Sequence, residues 1–197
     1  MTGHLEVKVQ GIKVKPRVED TEIALRAGIE ELWSYVGKGT DSKYVVGLDV
    51  ECKPIESVNK VSVLKLAYGS FCLIIRLLKF GTIPDFLFNF LHLPDVSLVG
   101  VGIKENVALL ERDYGLQCRN IVDLPTLATS VLDDRRLVSY GLVDLANHGI
   151  LLQVMKKLAC VFLRDWSGEN LSTVEIEFAT VDAYVSNKIG NKLLGGM

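Results

Sequence analysis

The stretch Tyr44-Val-Val-Gly-Leu-Asp-Val-Glu-Cys52 constrains this chain more than any other. Its apolar members are β-branched or aromatic, a composition that suits a buried strand. Side chains alternate across a strand, so residues two apart share a face. Asp49 and Glu51 therefore project together from a segment otherwise built for a core. Two like charges side by side in apolar surroundings are costly unless a cation accompanies them. Oxygen-only donors select hard divalent ions such as Mg2+ or Mn2+. The other reading of this motif taken alone is a strand end that reaches solvent and carries two ordinary surface acids.

Composition narrows the function classes. A chain of 197 residues is expected to form one domain, residues 1–197, with a substantial core. Hydrophobic residues make up 49% of it, and the mean hydropathy is +0.28. The longest apolar run, Phe71 to Leu78, is interrupted by Arg76 and is too short to span a bilayer. The apolar excess points instead to a subunit interface, and a homo-oligomer is expected. Its carriers are Phe86-Leu-Phe-Asn-Phe-Leu91 and Gly149-Ile-Leu-Leu-Gln-Val-Met155. Cys52, Cys72, Cys118 and Cys160 are scattered without a CxxC pair, as in reduced intracellular thiols. The first residues lack an apolar secretion core, which again suggests an intracellular chain, nuclear or cytoplasmic. A net charge of −2 supplies no global attraction to nucleic acid, so such contact must be local or carried by metal.

The order of elements follows from periodicity and turn residues. Residues 5–14 alternate and suggest an edge strand or a hairpin around Gly11. Asp20 or Thr21 caps a helix to about Val36, with Ile23, Ile29, Leu32, Trp33 and Val36 near one face. Residues 37–42 read as a loop. Strands at 44–50, 60–68 and 71–78 have short connections and form an antiparallel meander. Pro84 opens a short helix to about His92. A fourth strand at 97–102 leads into a helix over 104–113, and a short fifth strand lies at 121–124. The remainder is mostly helical and ends in a long helix over 172–194. The expected fold is α/β: a mixed five-stranded sheet, three antiparallel strands followed by parallel βα units, flanked by helices.

Two further stretches carry chemistry. In Val99-Gly-Val-Gly-Ile-Lys-Glu-Asn106 a strand joins a helix through two glycines, without the third glycine of a dinucleotide fingerprint. In Glu175-Ile-Glu-Phe-Ala-Thr-Val-Asp-Ala-Tyr-Val185 the acid Asp182 lies within an apolar helix. It either has a partner or faces water.

Taken together, these motifs resemble the 3'-5' exonuclease domains of the DEDD superfamily, most closely the Werner-syndrome and ribonuclease D type. The family's Asp-x-Glu strand is matched by Asp49 and Glu51. Its Gly-x-Gly-Ile-x-x-Asp is matched from Gly100 to Ile103, with Asn106 in the Asp position. Its Tyr-Ala-x-x-Asp-Ala-Tyr is matched by Ala179, Asp182, Ala183 and Tyr184, with Phe178 in place of the leading Tyr. The flanks Arg112-Asp-Tyr-Gly-Leu, Asn120-Ile-Val-Asp-Leu124 and Asp165-Trp-Ser also fit, so the resemblance spans roughly residues 5–194.

The resemblance implies a ribonuclease H-like fold and hydrolysis of nucleic-acid phosphodiesters, DNA or RNA, by two Mg2+ or Mn2+ ions about 3.5–4 Å apart. Asp49 would bridge both ions, and Glu51 and Asp182 would complete one of them. Position 106 would support the second ion, and position 178 would orient water. Asn106 is neutral and Phe178 lacks a hydroxyl, so the expected activity is reduced. The alternative is an inactive nuclease fold that serves as a nucleic-acid-binding or assembly module. Glu105 replaces the missing acid only if the helix begins irregularly. Tyr184 reads as core packing. Lys104, Arg112, Arg119, Lys156, Lys157 and Arg164 are candidate phosphate contacts or an ordinary solvated surface.

Overall fold

Alternating β-branched and aliphatic residues build the centre of the protein, and tight turns set its register. In the computed structural model the described residues are 5–9, 11–36, 44–55, 57–150, 166 and 168–195. Strands β3 (Tyr44–Ile55), β4 (Val58–Tyr68) and β5 (Phe71–Ile75) form the expected antiparallel meander. Gly69 turns the chain between β4 and β5 with φ +60°, a region that costs glycine little. Strands β6 (Val96–Gly100) and β7 (Ile121–Asp123) add in parallel beyond β3.

The sheet has seven strands rather than five, in the order β1-β2-β5-β4-β3-β6-β7. The N-terminal hairpin supplies the difference: β1 (Val7–Val9) and β2 (Ile12–Glu19) turn at Gly11. Strand β2 then runs on past the hairpin and pairs in parallel with β5 from Lys15 to Glu19. Pro16 is tolerated there. The Lys15 amide donates to Ser70 on the β5 side, so the Pro16 nitrogen faces the other edge, where β1 pairing has already ended at Val14.

Helices cover both faces. Helix α1 (Glu22–Val36) starts where Thr21 Oγ1 accepts from the Ala24 amide, 3.4 Å away. Its buried residues are Leu25, Gly28, Ile29, Leu32 and Val36. Ile23 and Trp33, expected on this face, are 86% and 42% exposed. Leu25 takes the inward position because i, i+4 and i+7 spacing from it runs through Ile29 and Leu32. Helices α2 (Asp85–Leu91) and α3 (Ile103–Tyr114) lie on the same core as α1. Leu87, Phe90 and Leu91 are buried, so most of the apolar segment marked for an interface fills the chain's own core. The second such segment, residues 149–155, lies outside the residues whose side chains are described.

The opposite face holds α4 (Leu124–Leu132), the short α5 (Leu142–Leu145) and the long α6 (Thr173–Gly195). A capping box starts α6: Glu175 Oε2 accepts from the Ser172 amide at 2.6 Å, and Ser172 Oγ accepts from the Glu175 amide at 3.3 Å. The helix then lies directly on β3. A Cβ at Gly47 would stand 2.0 Å from the Ala183 carbonyl oxygen, so only glycine permits this approach. Asn187 Nδ2 donates to the Val45 carbonyl at 2.7 Å and fixes the register of helix on strand. Among the described residues no helix is long and apolar enough to cross a membrane. The expected loop at 37–42 and helical content over 151–165 fall outside the described residues, as do Cys160, Lys156, Lys157 and Arg164.

Candidate active site

The close packing of α6 on β3 creates the site. Asp49, Glu51 and Gly47 share the β3 face that α6 covers, and Asp182 precedes the Ala183 that touches Gly47. One carboxylate oxygen from each of Asp49, Glu51 and Asp182 lies within 4.8 Å of the others. All three side chains are half-buried. A bulge between Glu51 and Cys52 then shifts the register, and pairing with β4 continues from Cys52–Val61 to Ile55–Val58. Its partner strand is clamped from α3: Asp113 Oδ2 accepts from the Val61 amide at 2.8 Å, and the Tyr114 hydroxyl donates to the Val61 carbonyl at 2.5 Å. The Arg-Asp-Tyr flank therefore anchors the sheet edge next to the acids. Arg112, a candidate phosphate contact, is instead engaged with Asp113 and the Asn59 carbonyl.

The fourth member of the site was not marked by any motif. Lys65 on β4 is the direct cross-strand partner of Asp49. Its side chain is fully buried, and its ammonium reaches all three acids: Asp49 Oδ2 at 2.5 Å, Glu51 Oε1 at 2.7 Å and Asp182 Oδ2 at 3.4 Å. Two rings close the remaining sides, with Nζ 5.5 Å from the Phe178 centroid and 5.8 Å from that of Trp166. Cation–π attraction adds to the ion pairs in such a desolvated setting. The signal for Lys65 lies in the chain itself: it is a cation in the otherwise apolar run Val63-Leu-Lys-Leu-Ala67. A buried charge demands a partner, and Asp49 and Glu51 share its face.

Asn106 occupies the other side of Asp49. Its Nδ2 donates to Asp49 Oδ1 at 3.2 Å. The α3 start that carries it depends on glycine. Gly100 lets β6 pass the Leu48 carbonyl, 2.4 Å from where a Cβ would stand. Gly102 caps the helix at φ +62°, and its amide donates to Asp123 Oδ1 at 3.0 Å. The helix begins regularly, so Glu105 stays exposed outside the acid cluster, as one residue of helical rotation requires. Lys104 is exposed beside it and lines a cleft of about 470 Å³ with Gly102, Asp123 and Tyr140. Tyr184 is buried in the α6 core and takes no part in the site.

Electrostatics follow from one ammonium shared among three acids. Burial pushes Asp182 up to about 7; Lys65 opposes this, while Asp49 and Glu51 reinforce it. Glu51 is raised by burial, again against Lys65 and with Asp49. Burial pulls Lys65 down, but the three surrounding carboxylates outweigh it and hold the ammonium well above its ordinary value. The donor set of three carboxylates suits a hard divalent ion. The Lys65 ammonium, however, contacts all three of them, and the other oxygen of Asp49 accepts from the Asn106 amide.

Comparison with known proteins agrees with this architecture. A family profile described as 3'-5' exonuclease matches residues 18–195. Exonuclease 3'-5' domain-containing protein 2 of Mus musculus is 29% identical over 185 residues. That match covers 91% of this chain and 28% of the relative, so the chain spans little more than a quarter of that protein's length. The crystal structure of the EXD2 exonuclease domain superposes with TM-score 0.56 at 27% identity, covering 92% of this chain and 90% of that one. The catalytic core of RRP6 from Trypanosoma brucei gives TM-score 0.70 at 17% identity, covering 95% and 48%, and shows the shared ribonuclease H-like fold alone. With the profile matched over nearly its whole length, this chain belongs to the 3'-5' exonuclease domain family.

Proposed function

We propose that this domain hydrolyses nucleic-acid phosphodiesters from the 3' end at an attenuated rate. The convergence of Asp49, Glu51 and Asp182 within 4.8 Å carries the reading. Nothing else in the described residues gathers three such donors. These acids would hold Mg2+ or Mn2+, which supplies charge neutralisation at the phosphoryl oxygens when bound. Crystals of the similar EXD2 exonuclease domain were soaked in Mn, and in Mn with GMP. In this chain Asp49 is the central acid, because it alone faces both Lys65 and Asn106. Asn106 brings no charge, and Phe178 brings no hydroxyl to orient water. Loss of a positioned acid–base or orienting group, such as the hydroxyl missing at Phe178, costs roughly 10²–10⁴-fold.

A second reading follows from the same two residues: the fold binds nucleic acid, and hydrolysis is gone. Labelled single-stranded and duplex oligonucleotides, incubated with pure protein in Mg2+ and in Mn2+, separate the two. Slow 3'-end shortening that Asp49→Ala removes supports the first reading. Retained binding with no product beyond that of Asp49→Ala supports the second.

A further inference from the structure

We infer that Lys65 is the resident cation of this site: its ammonium occupies the centre of the three carboxylates and competes with divalent ions for them. The inference rests on the assignment of Asp49, Glu51 and Asp182 as the site, not on their turnover.

Geometry supports it. A single Nζ lies 2.5, 2.7 and 3.4 Å from oxygens of three different carboxylates. Those three carboxylates are the ones that a shared ion would need. An ammonium donates three hydrogen bonds, so three acceptors exhaust it. The stem has no freedom to withdraw. Lys65 is fully buried, its strand is paired on both sides, and its neighbours Leu64 and Leu66 are buried in the opposite core. The Phe178 and Trp166 rings take up the rest of the surroundings. Phe178 thus has a second consequence beyond its missing hydroxyl: an apolar ring stands against the lysine.

Charge supports it as well. Three carboxylates packed this closely require a positive partner, and Lys65 provides one without solvent exchange. An incoming divalent ion must share the same oxygens with a fixed positive charge. Coulomb repulsion between the two cations acts at close range in a desolvated site, so metal affinity falls steeply.

The test uses Mn2+ binding followed by electron paramagnetic resonance, with thermal unfolding in parallel. Wild-type protein binds Mn2+ weakly, and its melting temperature is unchanged by millimolar Mn2+. Lys65→Gln binds at least about tenfold more tightly, roughly 1.4 kcal/mol. It melts lower than wild type in chelator and regains stability with Mn2+. Lys65→Arg keeps the charge and stays weak. Equal Mn2+ affinity in wild type and Lys65→Gln overturns the inference. If Lys65→Gln fails to fold, wild-type crystals soaked in Mn2+ decide. Anomalous density among the three acids with Lys65 in place overturns the inference, and its absence upholds it. The outcome is separable from turnover. Tighter binding by Lys65→Gln with no shortening of oligonucleotides in either protein upholds this inference and defeats the hydrolytic reading.

Discussion

Asn106 Nδ2 donates to Asp49 Oδ1 at 3.2 Å, while the other oxygen of Asp49 meets Lys65. Both faces of the central acid are thus satisfied by the protein itself. Asn106→Asp replaces this donor with a second carboxylate. In chelator the variant is expected to lose about 1–2 kcal/mol of stability, because like charges then face each other half-buried. Added Mn2+ should recover part of that loss. Urea unfolding with and without Mn2+ measures both effects.

Repair of both altered positions should restore chemistry. Asn106→Asp with Phe178→Tyr is expected to raise oligonucleotide hydrolysis at least about tenfold. Asp49→Ala in that background should return the rate to zero. A time course of 3'-end shortening reads the result, and an unchanged rate would place the limit elsewhere.

Gly47 is where the helix meets the sheet. Gly47→Ala puts a methyl 2.0 Å from the Ala183 carbonyl, where backbone and not a flexible side chain must move. The expected cost is about 3 kcal/mol or more. Asp182 should shift away from Asp49 at the same time. Gly81→Ala meets nothing within 4 Å and serves as a control, expected within about 0.5 kcal/mol of wild type. Denaturant midpoints compare the two.

Asp182 gives the site a pH signature. Its folded pKa is raised from 3.8 to about 7, so the folded state keeps a proton that the unfolded state releases. Between about pH 4 and pH 7 the native protein binds more protons, and stability falls as pH rises through that window. Asp182→Asn removes the titrating group. Metal-free wild type should therefore lose more stability than the variant between pH 4 and pH 7.5. Parallel slopes for the two proteins would contradict the assignment.

Arg76 holds the entry to α6. It is buried and donates to the Glu169 carbonyl at 2.5 Å and to the Gly168 carbonyl. Arg76→Met leaves both acceptors without this donor, at a cost of about 1–3 kcal/mol. Protease cleavage near residues 168–169 should accelerate, as mass spectrometry of limited digests would show.

By itself the sequence determined the meander and the strand-to-helix order after it, though not that the two N-terminal strands extend the sheet to seven. Asp49 and Glu51 share a face because strand periodicity is two, and no tertiary contact is needed to know it. The glycines at 100 and 102 likewise announce a strand-to-helix turn. What alternation cannot encode is who stands opposite. Whether Lys65 faced Asp49 depended on the β3–β4 register, set by the turn after Ile55 and a bulge after Glu51. The approach of Asp182 depended on Gly47 admitting α6 at backbone contact. Ile23 stayed 86% exposed because the stripe through Leu25, Ile29 and Leu32 met the core instead. The sequence supplied three acids and, within the apolar run Val63–Ala67, a cation. Only packing placed the cation at their centre, because a buried charge takes the nearest opposite charges that the fold brings within reach.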